Sequence, residues 1–286
     1  MRRMSEEAFA KINLTLDVRS KRPDGYHEIE SVMQAISLSD GLMVTLKDEP
    51  GISLRANQWN LPSGPDNLAY KAGELYLRAT NLTGKGLHIE LNKRIPMLAG
   101  LGGGSSDAAA MLRCLNIMSG KRLPQEELLE LAAQIGSDVP FCLLGGTALA
   151  KGRGELVAPI WPIPACSIVL CKPKFDISTP ALFQRLDERP SAHHPDNRAA
   201  LLALKNGDLR QLAASLGNIF EEVLPQEQWE EIFAIRSIML EKGGLAASMS
   251  GTGPTVFGLF EDPEDAYQAA KTLRIYYSSV FLARPV

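Results

Sequence analysis

Residues 96–115, PMLAGLGGGSSDAAAMLRCL, set four glycines and two serines directly ahead of an alanine-rich apolar run. Gly100, Gly102, Gly103 and Gly104 let the backbone turn tightly, reach positive φ and expose its N–H groups. From Ala108 onward the apolar residues Ala108, Met111, Leu112 and Leu115 keep helical spacing. Ser105 or Ser106 is the expected N-cap, and Asp107 suits the first turn. A glycine loop that opens into a helix N-terminus offers N–H groups and a dipole to an anion.

The loop fits neither of two familiar phosphate loops. A Walker A loop follows its last glycine with Lys, whereas Gly104 is followed by Ser105. A dinucleotide fingerprint would need its third glycine where Ser105 stands. A capped turn without ligand is the plainer alternative for this stretch on its own.

Composition narrows the partners. The 286 residues are 45% hydrophobic and 22% charged, with a net charge of −3, which suits a soluble chain of one large or two ordinary domains. The near-neutral balance gives no support to a nucleic-acid or membrane-surface partner. The opening MRRMSEEAFAKINLTLDV lacks the apolar segment of a secretory leader, and no apolar run approaches the roughly 20 residues of a membrane span. The four cysteines lack zinc spacing and are expected as reduced thiols in the cytoplasm.

Along the chain, Ile12, Leu14, Leu16 and Val18 alternate with polar residues as a strand does, placing Lys11 and Asn13 together on the opposite face. Pro23-Asp24-Gly25 marks a turn, with a hairpin or bulge after it. Ile29, Val32, Met33 and Ile36 leave helix and strand both open. Residues 66–79 suit a helix capped by Asp66 or Asn67, and GLHIELNKRIP a strand. Pro124 starts a helix with the stripe Leu128, Leu131, Ala132 and Ile135. GTALAKGRGE reads as strand and turn. PIWPIP divides the chain into residues 1–160 and 161–286.

In the second half, CSIVLCKPKFDIS reads as a buried strand. A polar loop carrying His193 and His194, expected in solvent, precedes helices over 197–242. Gly251, Gly253 and Pro254 form another turn ahead of a strand, followed by a helix and a closing strand. The irregular mixture implies an α+β class.

AKINLTLDV, PMLAGLGGGSSDAA and SMSGTGPTVFGLF resemble the three signature regions of the GHMP small-molecule kinases. RPDGYHEIESVMQAISLSD, NLAYKA, IGSDVPFCLLGGTALAKGRGE and ISTPALF resemble the branch that phosphorylates a cytidine-diphosphate-linked methylerythritol. The resemblance implies a two-domain fold, with a ribosomal S5 domain 2-like N-terminal domain and a ferredoxin-like C-terminal domain. It implies ATP and Mg2+, and a small-molecule substrate phosphorylated on its 2-hydroxyl.

Carried onto this sequence, the resemblance assigns nucleotide binding to Pro96, Gly100, Leu101, Gly102, Gly103, Gly104, Ser105 and Ser106. The magnesium ligands stay open, Ser105 or Ser106 being near enough in sequence to help. Asp138 is implied as the base, and Lys11 as the cation that stabilises charge and keeps Asp138 ionised. Asn13 would place the substrate, and Thr179 would contact it. Tyr26 and Phe183 would sandwich the cytosine ring while His27 bonds its edge. Lys151 and Arg153 belong to a charged turn.

Overall fold

The computed structural model describes residues 2–120, 122–189 and 193–286. In chain order the elements begin with strands β1 (Arg2–Asn13), β2 (Thr15–Lys21), β3 (His27–Lys47) and β4 (Gly51–Ala56). Helix α1 (Leu68–Ala79), β5 (Gly86–Asn92), α2 (Gly103–Met118), α3 (Gln125–Ile135) and α4 (Val139–Leu144) follow. Then come β6 (Thr147–Gly152), β7 (Leu156–Pro159), β8 (Ser167–Lys172), α5 (Thr179–Glu188), α6 (Asn197–Asn206), α7 (Leu209–Ala214) and β9 (Gly217–Asn218). A 3₁₀ turn (Ile219–Val223), α8 (Gln226–Glu241), β10 (Ala246–Met249), β11 (Val256–Phe260), α9 (Pro263–Leu273) and β12 (Ser279–Ala283) complete the order.

Packing divides the chain into two compact units, and the division differs from one cut at residues 160/161. The first unit comprises Met1–Ala10, Ser39–Ile95 and Gly102–Gly145; the second comprises Lys11–Leu38, Pro96–Leu101 and Gly146–Val286. The units interleave in sequence because β1 and β3 each contribute residues to both.

In the first unit, β5 pairs antiparallel with Gly41–Lys47 of β3 and parallel with β4. A parallel pair needs a crossover, which α1 provides. Asn67 caps α1 by accepting from the Ala69 N–H at 2.9 Å, one of the two caps expected. Helix α2 is buried from Ser106 to Leu112 and again at Cys114, Leu115 and Met118, so its apolar character wraps most of its circumference. It approaches α1 closely; a Cβ on Gly73 would come within 2.9 Å of Met111. The stripe Leu128, Leu131, Ala132 and Ile135 of α3 is buried as expected.

Helix α2 departs from expectation at its start. It begins at Gly103 with Gly102 as its N-cap, at φ 68°, and has no side-chain cap. Ser105 and Ser106 therefore lie inside the helix, because left-handed Gly102 turns the chain without a hydroxyl. Asp107 is buried rather than exposed at the dipole.

In the second unit, a four-stranded antiparallel sheet runs β10-β11-β8-β12. Helix α8 packs on β10 and β11, and α9 on β8 and β12. This strand order, with one helix before β10 and one after β11, is the ferredoxin-like arrangement expected. Its core includes Phe220, Ile235, Met239, Val256 and Phe260, and burying one such side chain contributes about 1.5–3 kcal/mol.

Strands β2 and β3 form a hairpin across Pro23-Asp24-Gly25, with a register shift between Val18 and Ser20. Ile29–Gln34 pair with Thr147–Gly152 of β6, so the ambiguous segment is strand. His194 is not simply solvated: its Nδ1 lies 2.6 Å from Oδ1 of the wholly buried Asp17. Among the described residues, no helix is long and apolar enough to cross a membrane.

Candidate active site

Three segments far apart in sequence meet around Lys11 in the second unit. The Lys11 N–H donates to Leu101 O at 3.0 Å, and its buried ammonium donates to Asn13 Oδ1 at 2.7 Å. The Asn13 N–H donates to Ser250 Oγ at 3.3 Å, and that hydroxyl donates to Gly100 O at 2.9 Å. Strand alternation correctly places Lys11 and Asn13 side by side. Their face is buried, however, because Asn13 Nδ2 is received by Ser31 Oγ at 2.8 Å.

Glycine is required where these segments touch. At Gly100, φ is +74° and a Cβ would stand 2.1 Å from Ser250 O. At Gly251, φ is +60° and a Cβ would stand 3.2 Å from Lys11 Nζ. Any larger residue would push the loop off the third motif or crowd the ammonium.

In the first unit, the first N–H of α2 bonded within the helix is that of Ser106, which donates to Gly102 O at 2.8 Å. The preceding N–H groups at the helix head have no intrahelical acceptor, and no side chain caps them. That end fits a phosphate. The two serines differ: Ser106 is buried and its hydroxyl donates to Phe9 O at 2.5 Å, while Ser105 stays half-buried. Ser106 is thus committed to holding α2.

Beneath this turn lies an ion cluster that sequence reasoning missed. Lys93 Nζ bonds Asp107 Oδ2 at 2.5 Å and Asp40, all three being buried. Asp40 Oδ1 also accepts from the Arg94 and Ile95 N–H groups, at 2.5 and 2.8 Å. A Cβ on Gly103 would lie 3.5 Å from the Lys93 ammonium. Burial pushes the Asp107 carboxyl up, Lys93 opposes it and Asp40 adds to it, leaving it at about 7. Burial lowers Lys93, but Asp107 and Asp40 together outweigh burial and hold it charged. Only the Lys-x-Ile-Pro lead into the loop could have drawn attention to Lys93.

Asp138, half-buried, is the N-cap residue of α4, yet its side chain does not cap that helix. Among the described residues, no three His, Cys, Asp or Glu side chains gather as a metal site.

Tyr26, His27, Thr179 and Phe183 all belong to the second unit. His27 and Phe183 stack directly, with ring centroids 4.6 Å apart and planes 23° from parallel. The guanidinium of Arg153 stands 4.8 Å over the Tyr26 ring. Each aromatic expected to sandwich a base therefore already has a protein neighbour on its ring. The Thr179 hydroxyl bonds that of Thr252 at 2.7 Å, tying ISTP to the third glycine turn. Asp187, also missed, accepts from Lys21 and lies 2.7 Å from His27 Nε2.

The chain is similar to known proteins over nearly its whole length. Residues 67–146 match the GHMP kinases N terminal domain, and residues 200–279 the GHMP kinases C terminal domain. The 4-diphosphocytidyl-2-C-methyl-D-erythritol kinase of Pelotomaculum thermopropionicum is 47% identical over 97% of this chain and 96% of its own. That of Caldicellulosiruptor saccharolyticus is 41% identical over 96% and 94%. A solved 4-(cytidine 5'-diphospho)-2C-methyl-D-erythritol kinase superposes with a TM-score of 0.83, at 36% identity, over 99% of both chains. With full-length kinship at this level added to the knot of segments around Lys11, the chain belongs to the GHMP kinases, among the 4-diphosphocytidyl-2-C-methyl-D-erythritol kinases.

Proposed function

We propose that the protein transfers the γ-phosphoryl group of ATP to the 2-hydroxyl of 4-diphosphocytidyl-2-C-methyl-D-erythritol, a step in isoprenoid precursor synthesis by the non-mevalonate route. The observation that carries this reading is the convergence of the three signature regions through direct hydrogen bonds: Lys11 N–H to Leu101 O, Asn13 N–H to Ser250 Oγ, and Ser250 Oγ to Gly100 O. The full-length likeness to kinases of that name supports the acceptor.

Phosphoryl transfer asks a protein mainly for positioning and charge neutralisation. The uncapped head of α2 binds the nucleotide phosphates through N–H groups and dipole. Lys11, held by Asn13 Oδ1, presents a fixed positive charge to the transferred group. Asp138 receives the proton of the attacking hydroxyl. Magnesium, when bound, would neutralise phosphate charge, and Ser105 is the hydroxyl at the head of α2 that would help hold it. Tyr26, His27, Thr179 and Phe183 serve the cytidine end. The setting proposed is the cytoplasm, where buried thiols such as Cys114, Cys142 and Cys171 stay reduced.

The test is ATP consumption with the cytidylylated methylerythritol beside homoserine, mevalonate and galactose. Turnover confined to the first is expected. Faster turnover of another acceptor would overturn the assignment while leaving the kinase family intact.

A further inference from the structure

Phe183 and Asp187 stand four residues apart on α5 and so share one face of that helix. Both reach the same imidazole. Phe183 lies along the face of His27, and the carboxylate of Asp187 meets its Nε2 edge. Phe183 is steadied from the core by Phe220, whose ring meets it nearly at right angles, 81°, at 4.9 Å. Lys21, paired with His27 in the β2–β3 ladder, bonds the second oxygen of Asp187.

The hydrogen bonds from Lys21 and then from His27 hold the Asp187 carboxyl below the usual range. An ionised carboxylate can only accept. The proton between the two groups therefore sits on Nε2. In a neutral imidazole the other nitrogen is then an acceptor, and His27 Nδ1 has no hydrogen-bond partner among the described residues.

We propose that Asp187 is a positioning residue that fixes His27 as the Nε2–H tautomer, so that Nδ1 accepts from an exocyclic amine on the base of the acceptor substrate. This rests on the cytidine-linked acceptor proposed above. Cytosine carries an amine where uracil carries a carbonyl. An acceptor nitrogen is matched by the amine and opposed by the carbonyl oxygen. A site built to bond one polar group discriminates strongly against a ligand that leaves its own group unmatched. Stacking on Phe183 keeps the imidazole plane fixed, so the choice is made by a rigid edge.

The experiment uses Asp187→Asn, whose amide can donate to Nε2 and move the ring proton to Nδ1. Asp187 is one-third exposed, so the change does not open the core. Imidazole ¹⁵N–¹H NMR should show the Nε2–H form in the wild type and a shift toward Nδ1–H in the variant. In parallel, the ratio of kcat/KM for cytidine over uridine conjugates should fall about tenfold or more. KM for ATP should stay at the wild-type value, and Asp187→Glu should restore much of the ratio. An Nδ1–H tautomer in the wild type overturns the proposal. So does an unchanged base preference in Asp187→Asn once NMR shows that the proton has moved. A wild type that never phosphorylates the cytidine conjugate removes the acceptor assignment and the amine contact with it, whichever tautomer NMR records.

Discussion

The hydroxyl of Ser250 donates to the carbonyl of Gly100, 150 residues away in the chain, and accepts the N–H of Asn13. One oxygen atom thus fastens the glycine loop, the third glycine turn and the strand that carries Lys11. Ser250→Ala leaves a buried N–H and a carbonyl without this partner, at a cost of about 1–3 kcal/mol. The urea midpoint should fall accordingly, and KM for ATP should rise as the loop loosens. Wild-type values of both would show that neighbouring bonds hold the loop without it.

Asp138→Asn should lower turnover by about 10²–10⁴-fold, the usual effect of losing a general base. Its ATP affinity, measured by calorimetric titration, should remain near wild type because the head of α2 is untouched. Retained turnover would remove Asp138 from proton transfer.

Gly103→Val should weaken ATP binding in a chain that still folds. A Cβ there already comes within 3.1 Å of Ile95 Cγ2, and the two methyls of valine must displace the turn or cover it. A loss of about tenfold in affinity corresponds to roughly 1.4 kcal/mol. Unchanged affinity would take phosphate binding away from this turn.

Asp107 predicts a pH profile for stability. Its carboxyl is raised to about 7 in the fold, against about 3.9 in an unfolded chain. Between these values the folded protein keeps a proton that the unfolded chain has released. Its contribution is therefore complete below about pH 4 and is lost as pH rises through about 7. A carboxamide in its place cannot ionise, so the Tm of Asp107→Asn relative to wild type should climb from pH 5 to pH 8. Parallel profiles would mean that Asp107 is ionised in the fold throughout.

Local signals in the sequence predicted local structure well. Asn67 caps α1 and Pro23-Asp24-Gly25 closes its hairpin because a carboxamide at an N-cap and a glycine at φ 85° act on their own neighbours. Lys11 and Asn13 were findable because a strand period of two puts them together. Their burial was not, since it depends on Ser31 and Ser250 arriving from elsewhere. Lys93 with Asp40 and Asp107, or His27 with Asp187, escaped for the same reason: each cluster exists only after tertiary packing. The head of α2 was misplaced because a left-handed glycine replaced the hydroxyl cap that the serines suggested.

The interleaving of the two units bears on how the chain is made. Gln34 of β3 finds Thr147 of β6 113 residues later, and β8, β10, β11 and β12 come later still. During translation Val32 and Met33 lack Leu149 and Ala148 of β6, and Ile36 lacks Pro285, until the ribosome has added more than a hundred residues. Non-local pairing of this kind folds slowly and leaves sticky strands uncovered. Cooling during expression, or a holding chaperone, protects that interval, and a fragment cut after α4 leaves Ile29–Gln34 without the β6 strand they pair with.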